Sequence, residues 1–205
     1  MPARLNVCFV LALFFPFYLG AQLLNGSFEN SSINPGPAFV PLPAGSTDIF
    51  NWEVGDPVDY VGGLWVASNG VRSIDLCSGA AGSIFQELNL IQDSRYQVQF
   101  DIAGNTDCAP IIKNMQVRID GNVFNYSFNS TGRSHADMGW RTEQFEFTAS
   151  ANNATLEFIG LDDSACGMAL DNVRMQRYDC NGILGGNAVI DECGACLEPT
   201  DPLFN

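Results

Sequence analysis

The chain has 205 residues, 46% of them hydrophobic and 16% charged: enough for one domain with a sizeable core plus an appendage, and too few for two full domains. With 9 basic residues against 23 acidic ones, the net charge is −14. Such a surface repels polyanions, because phosphate binding depends on Lys and Arg releasing counterions, so no nucleic-acid partner is expected, whereas hard cations and neutral polymers fit.

Residues 1–21 read as a signal peptide: Arg4 supplies the positive start, residues 7–18 the apolar run and Leu19-Gly20-Ala21 the cleavage site. No second apolar run approaches the roughly 20 residues that span a bilayer. The mature chain, from Gln22, is therefore expected to be secreted, with no membrane partner once the signal is cleaved. An oxidising compartment favours bridged cysteines, and Cys77, Cys108, Cys166, Cys180, Cys193 and Cys196 remain after cleavage. Cys108 and Cys166 are the preferred pair, since each sits in a polar turn beside a strand. Asn-x-Ser/Thr sequons start at Asn25, Asn30, Asn125, Asn129 and Asn153.

In chain order, residues 22–29 read as a short strand, and residues 30–47 as a Pro, Gly and Ser loop too punctuated to pair. Strands are then predicted at 50–54, 58–61, 72–76, 83–88, 96–102, 115–119, 123–128, 141–147 and 155–159, from alternation or short apolar runs between turn residues. Tyr96-Gln-Val-Gln-Phe-Asp-Ile alternates most cleanly, and Asp120-Gly121-Asn122 signals a hairpin. No helical period lasts beyond a turn or two. Many short strands with no helices between them predict an all-β domain, an antiparallel sandwich or jelly roll, with a barrel as the alternative.

The closing strand is expected in Cys166-Gly-Met-Ala-Leu-Asp-Asn-Val-Arg-Met175. Alternation places Asp171 with the apolar Val173 and Met175, and a carboxylate on such a face needs a counter-charge or a metal. Its best partner lies at the other end of the domain, in Asn25-Gly-Ser-Phe-Glu29. First and last strands are thus expected to meet across a cation. Residues 179–205 form a cysteine-rich tail too small for its own core. Its three cysteines leave one to pair outside it, with Cys77, or to stay free.

These motifs together resemble the choice-of-anchor C family and its relatives among the plant cell-wall proteins of unknown-function family 642. The resemblance rests on Leu24-Asn-Gly-Ser-Phe-Glu29, Trp52-Glu-Val, Val58-Asp-Tyr-Val, Asn69-Gly-Val-Arg-Ser-Ile-Asp-Leu76, Gly82-Ser-Ile-Phe-Gln, Tyr96-Gln-Val-Gln-Phe-Asp-Ile-Ala-Gly-Asn105 and Cys166-Gly-Met-Ala-Leu-Asp-Asn-Val173, in order across residues 22–178. It implies a galactose-binding-like, carbohydrate-binding jelly roll with one structural calcium. Carried onto this chain, Glu29 and Asp171 supply side-chain oxygens, and Ser27, Asn69 and Arg72 supply backbone carbonyls, in keeping with calcium's 6 to 8 oxygen ligands. The tail is similar to thrombospondin type 3 repeats but lacks their regular acidic ladder.

The resemblance implies a secreted, non-catalytic carbohydrate-binding module recognising a polysaccharide of a cell wall or extracellular matrix. Tyr60, Trp65, Tyr126 and Trp140 are its candidate ring platforms, while Trp52, Phe100, Phe145 and Phe147 read as core. The alternative is a calcium-stabilised structural or adhesion module without a sugar pocket. An enzyme would need two carboxylates set for glycoside hydrolysis, for which Glu53, Asp56, Asp59, Asp162 and Asp163 are available, or a triad from Ser134, His135 and Asp137. Sequence neighbours seldom have triad geometry, and turn chemistry explains Asp162-Asp163. Cys193-Gly-Ala-Cys196 reads as a disulfide staple in preference to a redox or zinc motif.

Overall fold

A computed structural model describes residues 23–204. The expected signal peptide, residues 1–21, lies outside the described residues. The strands are β1 (Phe39–Leu42), β2 (Glu53–Val54), β3 (Val58–Val61), β4 (Ser73–Asp75), β5 (Ser83–Asn89), β6 (Arg95–Gly104), β7 (Ile112–Ile119), β8 (Asn122–Asn129), β9 (Arg141–Thr148), β10 (Asn153–Gly160), β11 (Met168–Arg177), β12 (Val189–Ile190) and β13 (Cys196–Leu197). No helix occurs among the described residues.

The strands form an antiparallel β-sandwich of jelly-roll type: a six-stranded sheet in the order β1-β3-β4-β11-β6-β9 and a five-stranded sheet in the order β2-β5-β10-β7-β8. From β4 to β7, and again from β8 to β11, the chain crosses between sheets at every connection. The hairpin between β7 and β8 turns on Asp120 and Gly121, both left-handed with φ of 50° and 75°, the conformation that a two-residue turn between twisted strands requires.

The sheets meet over an aromatic core. Phe100 on β6 packs edge-on against Phe158 on β10 and Tyr126 on β8, each at 5.1 Å between ring centroids. Trp52 bridges Phe158 and Phe28. Trp52, Phe100, Phe145 and Phe147 are all buried, as expected of core rings. Burying a large apolar side chain contributes about 1.5–3 kcal/mol, so this cluster is the main source of cohesion between the layers.

Two sequence expectations fail near the start. Residues 23–29 form turns instead of a strand, because Asn25 and Phe28 adopt left-handed backbone with φ of 52° and 58°. Conversely, the punctuated loop contains β1, which pairs with β3 from Phe39↔Val61 to Leu42↔Val58. β1 is an edge strand, where Pro41 is tolerated because its missing N–H has no ladder to break.

The Cys108–Cys166 disulfide forms as expected, joining residues 58 apart. A second disulfide, Cys180–Cys196, staples the tail and its small β12–β13 ladder. Cys77 is not an external partner for the tail. It is fully buried and a free thiol among the described residues, its Sγ donating to the Asp162 carbonyl at 3.3 Å.

Candidate functional site

The functional geometry lies on the six-stranded sheet, on the side turned away from the sandwich core. Val58, Tyr60, Ile74, Ile102 and Leu170 point into the core; the intervening Asp59, Asp75, Ala103, Ala169, Asp101 and Asp171 point the other way. Ordinary jelly-roll outer faces are wet, yet every residue of β3 and β4 is buried. Residues 62–72, between β3 and β4, fold back over the sheet. Trp65 lies beneath this loop, 4% exposed, with its indole Nε1 donating to Ser73 Oγ at 2.8 Å. Residues 130–140 close the roof from the other side: Val66 N–H donates to the His135 carbonyl, and Trp140 Nε1 to the Val66 carbonyl at 2.8 Å.

A cavity of about 200 Å³ lies beneath this roof, lined among others by Phe39, Asp59, Trp65, Asp75, Asn105 and Asp107. Its floor is an acid pair. Asp59 and Asp75 are register partners on neighbouring strands, 8% and 1% exposed. Asn105 Nδ2 donates to Asp75 Oδ2 at 2.7 Å, and the N–H groups of Gly167 and Cys77 donate to Asp75 Oδ1 at 3.0 and 3.2 Å. Gly167 is required there: a Cβ would lie 2.3 Å from Cys77 Sγ and 2.8 Å from Asp75 Oδ1. Asp59 receives a side-chain hydrogen bond from Ser78, but its Oδ1 is buried with no hydrogen-bond partner among the described residues.

Burial pushes the Asp75 carboxyl up to about 7, aided by the Asp59 charge and resisted by its three donors. Burial raises Asp59 as well. A nearby cation, the fully buried Lys113, donates from Nζ to the carbonyls of Cys108 and Cys166 at 2.8 and 2.7 Å, and burial lowers its pKa. At the rim, His135 Nε2 lies 2.8 Å from Asp107 Oδ1 and its ring meets Trp65 edge-on. Ser134 Oγ instead accepts the Asp137 N–H, so Ser134, His135 and Asp137 are not arranged as a relay. Asp162 is held by Asn114, whose N–H and Nδ2 both donate to it.

A second acidic locus lies further along the same face. The loop at 68–72 is clamped between the two ends of the domain. Glu29 Oε1 accepts the N–H groups of Val71 and Arg72 at 2.6 and 2.8 Å; Asp171 accepts those of Asn69 and Asn172 at 2.7 and 2.6 Å. Gly26 N-terminal to Ser27 binds the last strand through its carbonyl, which accepts the Val173 N–H at 2.8 Å. Glu29, Asn69, Arg72 and Asp171 thus converge on one loop, with Ser27 in the adjoining segment. The N–H groups of Asn69 and Arg72 are the atoms that meet the acids.

Asp171 is fully buried, and burial pushes its carboxyl up to about 7. Neighbouring Asp101 is held low by hydrogen bonds from Ser68, Thr142 and Asn172 and by Arg174, which together outweigh its desolvation. Among the described residues, no three His, Cys, Asp or Glu side chains are grouped as metal ligands. A cation beside Glu29 and Asp171 would therefore draw most of its shell from backbone oxygen. The donor chemistry suits calcium on that condition: two hard carboxylates, one desolvated and lacking a basic partner, beside a loop and a segment whose backbone is bent at Gly70, Phe28 and Asn25.

The expected ring platforms divide. Tyr60 is fully buried and faces the core, its hydroxyl donating to the Phe28 carbonyl at 2.7 Å; it offers no ring to a ligand. Trp65 is likewise no open platform, because the roof loop folds it inward as a cavity wall. Tyr126 is half-buried against Phe100, and Trp140 is half-buried where the two roof loops meet. Sequence reasoning missed Asp75 and Asn105. Both lay in quoted motifs, but the signal that joins them, the pairing of β11 with both β4 and β6, exists only in the fold.

Fold and site together define a jelly-roll sandwich with a roofed, acid-floored cavity on its six-stranded sheet. The model of the family described as Protein of unknown function (DUF642) matches residues 21–176, and the chain belongs to this family. Halomucin from Haloquadratum walsbyi is 32% identical over 155 residues, covering 73% of this chain; the chain spans only 2% of that protein's length. Similar solved structures include a family 35 carbohydrate binding module from Clostridium thermocellum (TM-score 0.47, 17% identity, 66% of this chain and 97% of that one). TmCBM61 in complex with beta-1,4-galactotriose has a TM-score of 0.45 at 13% identity, over 77% of this chain and 98% of that one. CBM35 from Paenibacillus barcinonensis has 0.44 at 16%, over 66% and 97%.

Proposed function

We propose that this chain is a secreted, non-catalytic carbohydrate-binding module that recognises a polysaccharide of a cell wall or extracellular matrix through the cavity beneath Trp65. The observation that carries this reading is Asp59, which lines a cavity walled by Trp65 and Phe39 and whose buried Oδ1 has no hydrogen-bond partner among the described residues. An unsatisfied buried acceptor costs about 1–3 kcal/mol, a cost relieved by a ligand that brings a donor. Sugars bring both halves of the match, hydroxyl donors for Asp59 and Asn105 and C–H faces for the rings. The two disulfides suit an extracellular compartment.

The reading includes one structural calcium, held by Glu29 and Asp171 with the carbonyls of Ser27, Asn69 and Arg72. Bound there, the ion would supply positive charge to the buried Asp171 and tie the two ends of the domain to the 68–72 loop. The test of binding is retention of the mature protein on a panel of soluble and insoluble polysaccharides, with calcium and with EDTA, alongside Asp59→Asn. Retention on one polymer class that Asp59→Asn weakens supports the module. Absence of retention on every polymer, with melting still lowered by EDTA, would favour the structural or adhesion reading.

A further inference from the structure

We propose that the cavity beneath Trp65 is built to take the protonated amino group of an amino-sugar unit. This rests on the saccharide reading above and narrows its chemistry.

Three carboxylates, Asp59, Asp75 and Asp107, line the cavity, and among the described residues no Lys or Arg does. Asp107 has His135 within 2.8 Å. Asp59 and Asp75 have no such neighbour and stand directly opposite each other in register, an arrangement that is unfavourable for like charges. A proton held by the buried Asp75 relieves the repulsion below neutral pH, and the charge of the buried Asp59 is then the one left to be balanced. The buried Lys113 attracts Asp75 electrostatically, but its ammonium donates its hydrogen bonds to the carbonyls of Cys108 and Cys166 instead of to either acid.

A neutral hydroxyl would satisfy Asp59 Oδ1 but leave the charge. A uronate would add a further negative charge to it. An ammonium group supplies the missing donor, two further N–H donors and the opposite charge at once, and Trp65 in the wall is of the ring type that attracts cations most strongly. The chain's scarcity of basic residues, 9 against 23 acidic, adds long-range attraction for a cationic polymer and repulsion for an anionic one.

Isothermal titration calorimetry of the disulfide-intact protein tests this with four short oligosaccharides of equal length: glucosamine, N-acetylglucosamine, galactose and galacturonate, at pH 6 in EDTA. The glucosamine oligomer should bind about tenfold more tightly than its acetylated counterpart, the weight of one charge-assisted hydrogen bond, and the galacturonate should not bind. Asp59→Asn should abolish that preference, whereas Glu87→Gln, on the five-stranded sheet, should leave it intact. Rising salt should weaken binding of the amine in the wild type, a readout that does not depend on the variant's folding.

Equal binding of amine and acetamide, or equal loss in both variants, overturns the amine assignment. Binding of a neutral oligomer that Asp59→Asn weakens, without amine preference, would leave the saccharide reading standing alone. Binding of no saccharide would remove both. Asp59-dependent binding of calcium chloride alone, in a titration without chelator, would reassign the cavity to a metal ion.

Discussion

Asp59 and Asp75 face each other across β3 and β4 on the roofed side of the sheet, and Asp75 carries three hydrogen bonds where Asp59 Oδ1 has none among the described residues. The consequence for pH has a definite sign. Burial raises the folded Asp75 carboxyl to about 7, whereas an unfolded aspartate titrates near ~3.9. Between these values the folded chain holds a proton that the unfolded chain has lost, so stability falls as pH rises through the window. Asp59, Cys77 and Lys113 are the titratable groups that interact with it electrostatically, and Asp171, also raised to about 7 by burial, adds a slope of the same sign. The single-site upper limit is about 4 kcal/mol at about 1.36 kcal/mol per unit. Thermal melts in EDTA should show Tm declining from pH 5 to pH 8, and Asp75→Asn should make the decline shallower, leaving the share that Asp171 contributes; parallel slopes would clear Asp75 as a cause.

Gly70 is fixed by two independent constraints. Its φ is +68°, and a Cβ would lie 2.3 Å from Glu29 Oε1. Gly70→Ala therefore strains the backbone and displaces the carboxylate that accepts Val71 and Arg72. A loss of about 2 kcal/mol is expected, measured by urea denaturation. Gly79, with φ of +84° and open space around its Cβ position, serves as the comparison: its alanine variant should lose only the backbone share.

The proposed calcium ion makes a separate forecast. Addition of EDTA to the native protein should lower Tm, and calcium, more than magnesium, should restore it, since carbonyl-rich irregular shells suit calcium. Asp171→Asn should lower Tm without EDTA and remove the response to the chelator. Identical melting of the native protein with and without EDTA would sink the calcium assignment while leaving the cavity untouched.

Strand positions were legible because alternation is local: Tyr96, Val98, Phe100 and Ile102 declare their common face without reference to any neighbour. The two misses have physical causes. Residues 23–29 look extended by composition, but left-handed Asn25 and Phe28 bend them, and contacts with β11, Phe50, Trp52 and Gln86, distant in sequence, hold that bend. Pro41 hid β1, because a proline argues against a strand unless the strand is known to be an edge. The convergence of Glu29, Asn69, Arg72 and Asp171 was legible as a motif pattern, whereas the cavity was not. Asp59 read as one of several available acids and Trp65 as a ring platform because nothing in sequence order announces that residues 62–72 fold back over the sheet.

The long disulfide offers a check on the sandwich independent of any ligand. Cys108 and Cys166 lie 58 residues apart, and closing such a loop removes chain entropy from the unfolded state worth about 4 kcal/mol. The double variant Cys108→Ser/Cys166→Ser should lose a comparable amount. Lys113 spans the same two residues through their carbonyls, so replacing it by Met while the disulfide is intact tests whether the buried ammonium adds to the clasp. A further loss of about 1–3 kcal/mol is expected, because two buried carbonyls lose their donor.

Trp140 ties the two loops of the roof to each other. Its Nε1 donates to the Val66 carbonyl, one residue beyond Trp65, and Val66 N–H in turn donates to the His135 carbonyl. Replacing Trp140 by Phe keeps an aromatic ring but removes the donor, so residues 64–68 should open more often while the core is unaffected. A net hydrogen bond is worth about 0.5–1.5 kcal/mol, which predicts that amide exchange in this segment speeds up by roughly threefold to tenfold. Exchange at Val98 and Phe158, in the core strands, should be unchanged. A uniform increase across the sandwich would instead show that Trp140 supports global stability and that the roof is no separate unit; in that event the cavity would open only when the whole domain unfolds, and ligand entry would need a preformed mouth at Asp107 and His135.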